Sequence, residues 1–183
     1  MNQLAINNRY STLSISLHWL MLLLLAAVYA CIELRGMYPK GSDAREAMKT
    51  WHFMLGLSVF CLVLLRIAAR VIRPAPPITP TPPAWQMIPA KIIHLSLYAL
   101  MIGMPLGGWL MLSAAGKPIP FFGLELPALI GTNKELAGQI HEIHETFGAI
   151  GYWLIGIHSA AAAFHHIIAK DDTLRRMLPD RRA

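Results

Sequence analysis

His144 and His158 stand fourteen residues apart in a stretch apolar enough to be a membrane helix. At about 100° per residue, both imidazoles fall within about 40° of each other on one helix face. The rise between them is about 21 Å, most of a hydrocarbon core of roughly 30 Å. One helix can therefore offer a nitrogen ligand near each membrane surface. Two stacked haems, one per leaflet, need that arrangement, provided that other helices supply histidines at the same depths.

The eight histidines sort by depth. His18 falls inside the inner end of the first apolar stretch, and His52 just inside the outer end of the second. His94 lies near the inner end of the third, three residues after Lys91. His141 belongs to the outer surface, and His165 and His166 to the inner surface, where a solvated role is expected. Outside, His52 meets His144. Inside, His158 can meet His18 or His94. Ligation of haem iron by two histidines needs opposed imidazoles on different helices at one depth. Both pairs satisfy this, which gives two non-covalent b-type haems. No Cys-x-x-Cys-His occurs, which excludes covalent attachment. HExxH is absent as well, because Glu stands at position 145. Ionisable side chains inside a membrane are rare and tend to be functional. Gly56 and Gly148 each follow a histidine by four residues, and Gly151 lies one turn further on. They either leave room for a porphyrin or pack helices closely.

The elements that hold these residues follow from composition. The chain has 183 residues, 55% hydrophobic and 14% charged. Residues 10–32, 50–65, 92–116 and 146–169 contain no Asp, Glu, Lys or Arg. Three of them reach the roughly 20 residues that span a bilayer. Arg66 and Arg70 can snorkel and extend the second. The expectation is one all-α domain over residues 1–183, a transmembrane four-helix bundle with helices near 13–33, 48–71, 88–114 and 133–169. A signal peptide explains the first stretch less well, since the apolar run is too long and His18 and Trp19 interrupt it early. Prolines at 74, 76, 77, 80, 82 and 83 make the second connector extended. Residues 132–135, Thr-Asn-Lys-Glu, read as a helix start. Cys31 and Cys61 differ in depth by roughly 14 Å at the helical rise, so they form no disulfide and read as buried, inert thiols.

The formal charge of +6 is unevenly placed. Ten of the sixteen basic residues fall at the N-terminus, the second connector and the tail, if the first helix starts inside. The bias puts both termini in the cytoplasm. The basic tail, Arg175, Arg176, Arg181 and Arg182, reads as a topology and lipid-headgroup signal rather than a nucleic-acid site.

With its histidines placed, the chain resembles the prokaryotic cytochrome b561 family. The likeness rests on residues 15–20 (Ile-Ser-Leu-His-Trp-Leu), 49–52 (Lys-Thr-Trp-His), 93–94 (Ile-His), 104–107 (Met-Pro-Leu-Gly), 144–146 (His-Glu-Thr) and 157–161 (Ile-His-Ser-Ala-Ala), which span nearly the whole chain. It implies two haems b in a bundle of the bacterial inner membrane, exchanging electrons with ubiquinone. More distantly, the chain looks like the cytochrome b subunits of membrane hydrogenases and formate dehydrogenases. That pattern pairs His18 with His158 and His52 with His144, and leaves His94 as a quinone-site or neighbouring residue.

The family includes an activity in which superoxide outside reduces a haem and ubiquinone takes the electron, a superoxide oxidase. That is the function expected here. Segments 33–49 and 117–145 together hold six basic and seven acidic residues, so steering of an anion has to be local, by Arg35, Lys40, Arg45 or Lys49. Inside, Arg66, Arg70, Arg73 and Lys91 can pair with propionates or approach a quinone headgroup. The alternative is a haem b subunit that links a partner dehydrogenase or hydrogenase to quinone. A histidine-lined metal transporter would want acidic residues at mid-membrane, and these stretches have none.

Overall fold

The structure, a computed structural model, describes residues 9–179. Arg181 and Arg182 of the basic tail lie outside the described residues. The fold is mostly helical: α1 (Thr12–Leu34), α2 (Asp43–Ile72), α3 (Ala84–Ala114) and α4 (Lys134–Phe164). All four are long and apolar enough to cross a membrane. A small antiparallel hairpin, β1 (Pro120–Phe121) and β2 (Leu124–Glu125), joins α3 to α4. Its two-residue turn carries positive φ at both Phe122 (48°) and Gly123 (85°). That geometry suits a tight hairpin, and Gly adopts it without steric cost. The bundle thus has a hairpin end, next to these strands, and an opposite tail end.

Side-chain caps set the helix starts. Ser11 accepts from the Ser14 amide, Ser42 from Arg45, and Asn133 from Leu136 at 3.0 Å. Each satisfies an amide that has no partner within its helix. Asn133, not Thr132, caps α4. The Ser42 cap, with Asp43 and Glu46 complementing the dipole in the first turn, starts α2 five residues before the expected position 48. Pro83 precedes α3, which starts at Ala84 rather than 88. At the other end, α4 is α-helical only to Phe164 and continues as a π-helical turn, His165–Ala169.

Consecutive helices pack side by side, α1 on α2, α2 on α3 and α3 on α4. Met21, Val59, Leu62, Val63 and Met101 form the mid-helix core, from α1, α2 and α3. A second cluster, Leu57, Leu112 and Ile119 with Phe53, Trp109, Phe121 and Leu126, closes the hairpin end. α4 contributes only Gly151 as a fully buried residue. It is tied to α1 by long polar side chains: the Tyr29 hydroxyl donates to the Gly148 carbonyl (2.9 Å), and the Tyr152 hydroxyl to Glu33 (2.7 Å). Large apolar side chains face outward, among them Leu23, Leu65 and Trp153, as a lipid-facing surface requires.

Two expectations need correcting. His165 is not solvated: its Nδ1 lies 2.5 Å from Asp171, and its side chain is only 13% exposed. The cysteines are both free, but neither is buried, and Cys61 is exposed on the apolar surface of α2.

A candidate bis-histidine redox site

The helices bring the predicted histidines together in opposed pairs. At the tail end, the rings of His18 on α1 and His158 on α4 have centres 6.2 Å apart and planes at 78°. At the hairpin end, His52 on α2 and His144 on α4 are 6.4 Å apart at 75°. All four are half-buried. His94 on α3 also approaches His158, at 5.2 Å and 69°, but its side chain is exposed. His141 is exposed and sits 3.7 Å from Glu145, one turn along its own helix. His166 is exposed as well.

These separations can be tested against a cofactor. A metal–imidazole bond of about 2.0–2.1 Å, plus about 1.1 Å from nitrogen to ring centre, puts two trans imidazoles about 6.3 Å apart, taking the bond length typical of histidine–metal sites. The His18–His158 and His52–His144 separations match that figure. The 5.2 Å of His94–His158 is about 1 Å too short. The Nδ1 atoms of His18 and His144 are buried and have no hydrogen-bond partner among the described residues. His52 differs, since its Nδ1 lies 3.0 Å from the Val28 carbonyl. With Nδ1 donating there, Nε2 keeps a lone pair able to bind a metal.

The three glycines read alike in the sequence, but the structure separates them. A Cβ at Gly56 would meet nothing within 4 Å, and one at Gly148 only the Met104 methyl at 3.7 Å. At Gly151 a Cβ would fall onto the Tyr29 hydroxyl, so this glycine lets α1 and α4 approach. Gly107 and Gly108 on α3 are site residues that sequence reasoning does not find. A Cβ there would stand 3.7 and 3.5 Å from the His144 ring. They let α3 run close beside that imidazole. The sequence signals them only as an adjacent Gly-Gly pair in an apolar helix, with Gly107 also closing the 104–107 stretch that carries the family likeness. An apolar cleft of about 470 Å³ between α3 and α4 continues from this point, lined by Gly103, Met104, Gly107, His144, Phe147 and Leu154 among others.

At the tail end the charge is positive. Arg66 on α2 lies within electrostatic reach of His18, His94 and His158, and Arg70 covers the Tyr10 ring at 5.1 Å. Such groups can pair with carboxylates.

Apolar helices that oppose imidazoles in pairs define a class, integral-membrane proteins able to hold haem iron between two histidines. Residues 9–180 match the family described as Prokaryotic cytochrome b561, and the chain belongs to that family. It is 42% identical over 175 residues to "Cytochrome b561 homolog 1" of Escherichia coli (strain K12), covering 96% of this chain and 99% of that one. To "Probable superoxide oxidase CybB" of Yersinia pestis it is 36% identical over 176 residues, 96% and 99% of the two chains. "Cytochrome b561 homolog 2" of Escherichia coli (strain K12) is 30% identical over 188 residues, 93% and 91%. The family makes this a haem b-binding membrane protein of electron transfer.

Proposed function

We propose that the chain carries two haems b and passes electrons from superoxide outside to ubiquinone in the bacterial inner membrane. The observation that carries the two-haem reading is the pair of 6.2 and 6.4 Å imidazole separations on helices long enough to span a bilayer. His18 and His158 hold one group, and His52 and His144 the other. The haems, when bound, supply one-electron chemistry. The protein supplies ligands, orientation and a low-dielectric surrounding.

Both termini lie in the cytoplasm in this reading, following the basic residues. The hairpin end then faces outward, and His52–His144 is the entry pair. His52 and His144 would hold the group that takes one electron from each of two superoxide anions, which leave as oxygen. At the tail end a quinone gains two electrons and two protons. His94 would pass a proton from the cytoplasmic surface, a role supported by its exposure and its 5.2 Å approach to His158. Arg66 and Arg70 would pair with anionic propionates or donate hydrogen bonds to the neutral carbonyl oxygens of a quinone headgroup. Superoxide is favoured over other donors by the relative at 36% identity whose name carries superoxide oxidase.

The test is reduction of a soluble ubiquinone analogue by purified protein under a xanthine oxidase superoxide flux. Quinol formation that His52→Ala abolishes supports the reading. Quinone reduction no faster than in a protein-free control overturns the superoxide step.

A further inference from the structure

The segment after α4 folds back across the tail end. Lys170 takes a left-handed φ of 56° and reverses the chain. Asp171, only 4% exposed, faces His165 at 2.5 Å and accepts from the Thr173 amide at 2.9 Å. Asp172 pairs with the α2–α3 connector: its carboxylate accepts from the Thr79 amide (2.9 Å), and its own amide donates to the Thr79 carbonyl (3.2 Å). Arg176 is 4% exposed. It donates to the Pro76 carbonyl, lies 3.3 Å from Asp172 and covers the Tyr10 ring at 5.5 Å. Residues 171–178 are thus a strap fixed to the connector, to the residues before α1 and to the end of α4.

The strap also reaches the redox site. The Trp19 indole donates to the Met177 carbonyl at 2.7 Å. Trp19 directly follows His18, and its ring meets the His18 ring edge-on at 5.5 Å. The two histidine pairs therefore differ in how they are held. His52 is oriented by a hydrogen bond to the Val28 carbonyl. His18 has no such bond at Nδ1, and its ring is braced by an aromatic neighbour whose far end is pinned by the strap. An indole anchored at its N–H and packed against the imidazole has restricted rotation, and it limits rotation of the imidazole in turn.

We infer that Trp19 is a positioning residue for His18, and that residues 171–178 are the strap that holds it in place. The inference rests on His18 being an axial ligand. Its consequence is selective: the strap tunes the His18–His158 centre and leaves the His52–His144 centre alone.

The experiment uses Trp19→Phe, which keeps a ring but removes the N–H, and Asp171→Asn, which releases the strap. Each is compared with the parent protein by redox titration and by low-temperature EPR of the ferric state. The component lost in His158→Ala marks the tail-end centre. Both variants should keep the parent's haem per chain. Their tail-end centre should shift its reduction equilibrium about threefold to tenfold, the upper limit being about 59 mV for one electron. Its EPR anisotropy should change while the other centre stays fixed. An unmoved tail-end centre overturns the inference, and so do equal shifts of both centres, which mean a general loosening. Tryptic cleavage of the purified full-length protein after Lys170 or Arg175 should speed up several-fold in Asp171→Asn. If the parent binds no haem, the axial reading fails and the positioning role falls with it. The cleavage rate still reports whether the strap exists.

Discussion

Gly151→Ala places one methyl group where the structure has least room. The new Cβ would overlap the Tyr29 hydroxyl and stand 3.3 Å from a Leu100 methyl. Tyr29 has to move, which breaks its bond to the Gly148 carbonyl. The lost hydrogen bond costs about 1 kcal/mol. Overpacking adds about 1–3 kcal/mol, so the variant should lose about 2–4 kcal/mol in all. Tyr29→Phe alone should cost about 1 kcal/mol, since only the hydroxyl leaves. In the double variant the methyl meets the ring carbon near its contact distance, because Cζ stands 3.4 Å from where the new Cβ falls. The double variant should therefore lose about 1–2 kcal/mol rather than the sum, a coupling of about 2–3 kcal/mol between the two positions. Reversible SDS unfolding of detergent-solubilised protein, followed by circular dichroism, measures all four corners. Additive losses would refute the Tyr29–Gly151 contact, and with it the account of how α4 is held against α1.

Further outcomes follow from the site and the strap. His52→Ala should leave one haem b per chain by haemochrome assay and remove only the hairpin-end component; loss of both would mean that the centres do not assemble independently. His94→Phe should keep both haems, with identical spectra, and slow quinone reduction by roughly 10²-fold or more, the usual range for losing a proton-transfer group; a missing haem would make His94 a ligand instead. Burial by itself would raise the Asp171 carboxyl, but the Thr173 bonds and His165 outweigh it and hold the group below the usual carboxylate range. A depressed folded value stabilises the strap above the ordinary carboxylate value of about 3.9, and that contribution is lost as pH falls through the lower folded value. His165 faces this carboxylate, and the adjacent Asp172 is paired with Arg176. Hydrogen exchange over residues 170–178, corrected for intrinsic pH dependence, should therefore speed up only below about pH 4. Asp171→Asn should exchange quickly at every pH.

The histidine pairs are legible in the sequence because polar groups in apolar stretches are few and depth is a one-dimensional coordinate. Residue spacing fixes depth, and depth leaves only His18 or His94 open against His158. In the proposed assignment the choice between them rests on separations of 6.2 and 5.2 Å, which spacing along separate helices does not contain. Four apolar stretches likewise announce four helices. Hydropathy places the start of α2 too late because its first turn is polar, and a cap such as Ser42 does not register in it. The hairpin is invisible for a simpler reason: two-residue strands are too short to show a period. Arg176 looks like a solvated topology charge. Its burial depends on Pro76, a hundred positions away in sequence, and on Tyr10 before α1. Gly56 and Gly151 look alike as letters, and only the position of the Tyr29 hydroxyl distinguishes them.

The most direct test of the central claim is a pyridine haemochrome determination on the purified protein, with haem counted per chain and ligation checked by EPR. The account predicts two haems b per chain, both low-spin, with His18→Ala and His52→Ala each removing a different one. A single haem, or none, would contradict it.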